Sequence, residues 1–186
     1  MRLTPRKWGT RSLPPALILP DSAAMRHVLL STLLLILLTV VLPAEDKQIW
    51  AKRMLGQKAP EFVVEKWLGP EPRRDGKWVL IDFWATWCGP CRGAIPHLNE
   101  FHQKFGDKLV VIGVSDETED KVKAMAEPKI DYFSAIDPQA RMKKALEVKG
   151  IPHVILVDPQ GVIRWEGFPL LDGFELTEKV IQDLVK

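Results

Sequence analysis

Apolar and polar positions along residues 58–186 recur in two rhythms. Residues 77–85 (KWVLIDFWA) and 108–115 (KLVVIGVS) are near-continuous apolar runs, the form taken by strands buried on both faces. Residues 61–67 (EFVVEKW) and 131–137 (DYFSAID) are expected as further strands, the former separated from the first run by a Pro- and Gly-containing loop at 68–76. HVILVD (153–158) and VIRWEG (162–167) flank the turn PQG and predict a hairpin. Between the strands, Ile95, Leu98, Phe101 or His102, and Phe105 fall at helical spacing and predict a helix from about Pro90 to Phe105. A charged helix over 117–127, a helix over 138–148 opening on Pro138, and a closing amphipathic helix over 176–185 complete the order. Strands alternating with helices give an α/β fold, a central mixed sheet with helices on both faces.

The hydrophobic pattern before residue 45 is different. Val28 to Leu42 (VLLSTLLLILLTVVL) carries no charge, and its 15 residues suit the apolar core of an export signal better than a full membrane span of about 20. Residues 1–44 hold five basic residues and one acidic, with Arg26 before the apolar run and Glu45 and Asp46 after it. That asymmetry places the downstream domain outside the cytoplasm. The expected organisation is a leader at 1–44, a link at 45–57 and one domain at 58–186. Ala44 is a candidate last residue of a cleaved leader, and retention as a membrane anchor stays open, because Leu42 stands where a small residue is preferred. A start at Met25 would make the basic region a compact MRH. The chain's formal charge of +2 owes its sign to the leader, and the remainder is near neutral with mixed signs. No basic stripe suited to phosphates is present, so nucleic acid is not an expected partner.

The chain has two cysteines, Cys88 and Cys91, with Gly89 and Pro90 between them. A haem tether needs His after the second cysteine, and Arg92 is there. A structural zinc site needs four ligands, and no second cysteine pair exists to accompany His97, His102 or His153, so no metal is expected. A disulfide closing so short a loop restricts the unfolded chain little. Electron transfer suits the pair better. A strand feeding a helix puts Cys88 at the helix N-terminus, where unpaired N–H groups and the positive end of the dipole favour a thiolate. Cys88 is then the attacking sulfur and Cys91, one turn on, the resolving one.

The stretch VLIDFWATWCGPCRGAIP, with Asp82, Trp84, Trp87 and Pro96, closely resembles the active-site region of thioredoxins, and GIPHVILVD resembles their cis-proline loop. The leader, GQKAPEF at 56–62 and an inserted helix–strand segment near 117–137 resemble the TlpA/ResA type of thioredoxin-like thiol-disulfide oxidoreductase. The resemblance implies a thioredoxin fold and no cofactor. It implies that Pro152 is cis against the cysteines, that Ile151 offers backbone hydrogen bonds to a bound peptide, and that Trp87, Gly89 and Pro90 belong to the docking surface. Trp84 is expected in the core. Asp82, within an apolar strand, should have a raised pKa and accept the resolving thiol's proton, the plainer alternative being a strand acid facing solvent. Some haem-maturation members of the family place an acidic residue near the active site after the third strand, where Asp116 and Glu117 lie; the simpler expectation is that these two cap the helix after them. His153 has no assigned role.

The Gly-Pro dipeptide resembles that of reducing thioredoxins, near −270 mV, so a reductant of protein disulfides is expected, with cytochrome c maturation as one setting. The implied partners are a disulfide-containing protein and, as reductant, a membrane thiol-electron shuttle. The protein is expected to be a periplasmic monomer, secreted across or anchored to the inner membrane. Two rivals differ in chemistry. A thiol peroxidase of the peroxiredoxin type needs Thr or Ser three residues before its cysteine, where this chain has Ala85. A non-enzymatic chaperone module would use the same cleft without the thiols.

Overall fold

The computed structural model describes residues 49–186, and the leader lies outside the described residues. Among the described residues no helix is long and apolar enough to cross a membrane. Six strands form one mixed sheet: β1 (Lys66–Trp67), β2 (Trp78–Trp84), β3 (Leu109–Ser115), β4 (Phe133–Ile136), β5 (His153–Val157) and β6 (Ile163–Gly167). Their order is β1-β4-β3-β2-β5-β6. β2, β3 and β4 run parallel, while β1, β5 and β6 join antiparallel. The helices are α1 (Gly89–Phe105), α2 (Glu119–Ala124), α3 (Arg141–Ala145) and α4 (Glu178–Leu184). This is the thioredoxin fold, with α2 and β4 as the inserted pair.

The apolar runs bury both faces of the sheet because alternate side chains point opposite ways. Leu80 and Trp84 of β2 pack with Ile95, Leu98 and Phe101 of α1 and Ile181 of α4. Ile81 and Phe83 pack on the other face with Met142 of α3 and Ile112 and Val114 of β3. Asp82 therefore falls on the α1 face, between Leu80 and Trp84.

Some expected elements are shorter or different. Of the strand expected over 61–67, Lys66 and Trp67 alone pair, to Ile136 and Ala135 of β4. Phe62 and Val64 instead pack against the second core cluster without a ladder partner. α3 begins only at Arg141 because Ala140 takes a left-handed conformation, φ 52°. Residues 50–57, expected as a link, are hydrogen-bonded to the domain. Lys52 N–H donates to Leu146 O and Gly56 N–H to Ile163 O, while Trp50 O accepts from Lys149 N–H.

Candidate active site

The turn after β2 delivers Cys88 to the start of α1. Cys88 is the helix N-cap, in extended conformation, where Ser or Asp would ordinarily stand. Its sulfur accepts a hydrogen bond from the Cys91 N–H at 3.2 Å, so one otherwise unpaired helix donor points at sulfur. The two cysteines are joined in a disulfide with Cα atoms 5.3 Å apart. Cys88 retains 4% exposure and Cys91 none. Trp87 beside them is 73% exposed, and Gly89, Pro90 and Arg92 are exposed on the same turn. Pro96 sits inside α1.

The loop before β5 comes to the same place. The Ile151–Pro152 bond is cis, and Ile151 O lies 3.7 Å from Cys88 Sγ. A disulfide sulfur has no proton to donate, so in this oxidised state the approach is a contact rather than a hydrogen bond. Pro152 is buried. His153 comes next in β5, opposite Phe83, and stacks on that ring with centroids 6.3 Å apart. It packs on the sheet face away from α1.

Asp82 is fully buried, so the solvent-facing alternative does not hold. Burial pushes its pKa up from 3.8 to about 7, against the opposing effects of a hydrogen bond from Tyr132 and the charge of Lys143. Tyr132 O–H donates to Asp82 Oδ2 at 3.3 Å. Oδ1 accepts no hydrogen bond among the described residues. Leu80 and Trp84, its neighbours on that face, share one core cluster with Cys88 and Cys91, so the acid lies on the sheet face that packs against the cysteine pair. Trp84 is buried in that cluster, as expected.

Neither Asp116 nor Glu117 takes the simpler capping role, and Glu117 instead lies beside the cysteine turn, the other place expected for an acid here. Glu117 does not cap α2, whose N-cap is Thr118 with no side-chain cap bond. Its carboxylate accepts from Thr86 N–H at 2.6 Å and Thr86 O–H at 2.9 Å, tying down the turn that presents Cys88. Asp116 pairs with Lys143 at 3.0 Å. Sequence reasoning also missed Tyr132, which no local pattern marks. The available signal was Gly113, a glycine inside a buried strand, which often marks a close approach. Among the described residues no three of His, Cys, Asp and Glu come together as metal ligands.

The chain is similar to known proteins in sequence and in fold. A model of the AhpC/TSA family matches residues 55–166, more than half of the chain. The chain belongs to the AhpC/TSA family. Thiol-disulfide oxidoreductase ResA of Bacillus cereus is 34% identical over 118 residues, covering 60% of this chain and 68% of the relative. Thiol:disulfide interchange protein DsbE of Yersinia pestis is 32% identical over 145 residues, covering 74% and 77%. The thioredoxin domain of a thiol-disulfide oxidoreductase from Bacteroides vulgatus superposes with TM-score 0.58 at 32% identity, covering 71% of this chain and 98% of that one. A thioredoxin-like protein solved in its oxidised form gives 0.60 at 30% identity, covering 72% and 97%. This AhpC/TSA member is thus a thioredoxin-like thiol-disulfide oxidoreductase of the ResA and DsbE type. The residue three positions before Cys88 in this oxidoreductase, Ala85, is fully buried.

Proposed function

We propose that this oxidoreductase reduces disulfides of proteins outside the cytoplasm, with Cys88 attacking and Cys91 resolving. One observation carries the assignment: Cys88 caps α1 and receives the Cys91 N–H at 3.2 Å, a setting that favours its thiolate. In the reduced enzyme the Cys88 thiolate attacks one sulfur of the substrate disulfide. That bond breaks, a mixed disulfide forms and the first substrate thiolate leaves. Cys91 then gives its proton to Asp82 and attacks Cys88 Sγ. The mixed disulfide breaks, the second substrate thiolate leaves and takes up a proton, and the Cys88–Cys91 disulfide remains. Two electrons have passed to the substrate. Trp87, Gly89 and Pro90, exposed around Cys88, and the Ile151 backbone beside cis-Pro152 form the surface on which the substrate chain lies.

The Gly-Pro dipeptide supports the reducing direction, and a measured potential above about −180 mV would reject it. The apolar run at 28–42 supports export or anchoring, and a membrane thiol shuttle then restores the dithiol. An apocytochrome c is a substrate that fits this setting. Trapping tests the whole reading. Cys91→Ser should leave the mixed disulfide frozen on Cys88, and mass spectrometry of the adduct names the partner. Efficient trapping by Cys88→Ser with none by Cys91→Ser would reverse the two roles. In intact cells, a thiol reagent that cannot cross the inner membrane should label the reduced pair. Protection until the cells are lysed would refute the location.

A further inference from the structure

Asp82 has one hydrogen-bond donor among the described residues, and that donor is the chain's single tyrosine. Tyr132 lies in the connection entering β4 and is 5% exposed. Its route to the acid depends on a missing side chain. Gly113 of β3 is the residue opposite Asp82. A Cβ at Gly113 would stand 2.9 Å from Tyr132 Cε2, closer than such atoms approach, and a tight 3.0 Å from Trp84 Nε1. The glycine thus opens the space through which the tyrosine reaches the carboxyl.

The other surroundings of Asp82 are poor in partners. β5 places apolar Val154 opposite it, and β3 places no side chain there. α1 contributes Cys88 and Cys91 to the shared cluster. From α3, Lys143 acts through its charge while paired to Asp116. We propose that Tyr132 is the positioning residue for the proton acceptor of the exchange reaction. Its hydroxyl occupies Oδ2 of Asp82, fixes the carboxyl plane, and leaves Oδ1 to take the proton as the Cys91 S–H bond breaks and the sulfur keeps the electron pair. The inference rests on the reading of Asp82 as that acceptor. A tyrosine suits the task because burial and the neighbouring carboxylate push its own ionisation well above the ordinary value of 10.0. It therefore stays a donor throughout the working range and adds no permanent charge.

The test is the Tyr132→Phe enzyme, which keeps the ring and removes the hydroxyl. The Asp82 carboxyl carbon is followed by NMR from pH 5 to 9 in the oxidised full chain, and oxidation of the reduced chain by oxidised glutathione is followed over the same range. Loss of one donor to the carboxylate should raise the Asp82 midpoint by about 0.5–1 pH unit. Resolution should slow about 3- to 10-fold below that midpoint and little above it. Gly113→Ala, which pushes the ring aside but keeps the hydroxyl, should move the midpoint the same way. An unchanged or lowered midpoint in a folded Tyr132→Phe enzyme overturns the proposal. Asp82→Asn separates the two ideas. If it abolishes the pH limb while Tyr132→Phe leaves that limb in place, the acid's role stands and the tyrosine's falls. If the limb survives in Asp82→Asn, the acceptor is another group and both fall.

Discussion

Asp82 carries a cost that pH reveals. Its pKa is raised from 3.8 to about 7, chiefly by burial. Between those values the unfolded chain releases a proton that the folded chain keeps, so rising pH favours unfolding. The loss amounts to about 4 kcal/mol by pH 8, at about 1.36 kcal/mol per unit. Asp82→Asn should therefore match the oxidised wild type in urea denaturation at pH 4 and exceed it in stability at pH 8, by up to that amount. Equal stability at pH 8 would show that the buried carboxyl ionises without penalty. Enzymes hold such groups where chemistry needs a base near neutral pH. Glu117 serves a different purpose, as a hydrogen-bond acceptor for a loop. Glu117→Ala leaves the Thr86 N–H and O–H without that partner and should cost about 1–3 kcal/mol. The urea midpoint reports the cost, and slower disulfide reduction would report a loosened Cys88 turn.

At the scale of elements, Gly113 shows how one strand position shapes the site. Gly113→Ala should destabilise the protein by about 1–3 kcal/mol, the usual penalty for overfilling a packed interior, as read from thermal unfolding. A neutral outcome would mean that Tyr132 and Trp84 can move apart at no cost. β2, β3 and β5 were legible in the sequence because strands buried on both faces must be apolar almost throughout. α1 was legible from its spacing and from the strand that feeds it. The run at 61–67 misled because an apolar pattern reports burial, not pairing: Phe62 and Val64 reach the core from an unpaired segment. The helix expected from residue 117 starts later because Glu117 is drawn to Thr86, 31 residues earlier in the chain. The cysteine pair and cis-Pro152 were legible from the motifs they sit in. The Tyr132–Asp82 bond spans 50 residues and exists only once β3 and β4 have assembled, so no local pattern could disclose it.

At the scale of the whole molecule, the segment at 50–57 is bound to distant parts of the domain. Lys52 N–H reaches Leu146 O past α3, Trp50 O accepts from Lys149 N–H, and Gly56 N–H reaches Ile163 O on β6. Met54 N–H donates to the carboxylate of Glu166 at 2.9 Å. Trp50 meets Phe168 edge-on at 4.9 Å, and a Cβ at Gly150 would stand 3.0 Å from the Trp50 Cβ. Gly150 directly precedes Ile151 and Pro152, so the segment braces the loop that lies against Cys88. A chain beginning at Lys58 should therefore be less stable than one beginning at Ile49. Losing several backbone bonds of about 1 kcal/mol each, together with the aromatic contact, should cost about 3–5 kcal/mol in urea denaturation. It should also loosen the loop, seen as faster amide hydrogen exchange at Gly150 and Ile151. Exchange there that stays as slow as in the longer chain would show that the loop is held by the sheet alone, and that the segment contributes stability without supporting the site.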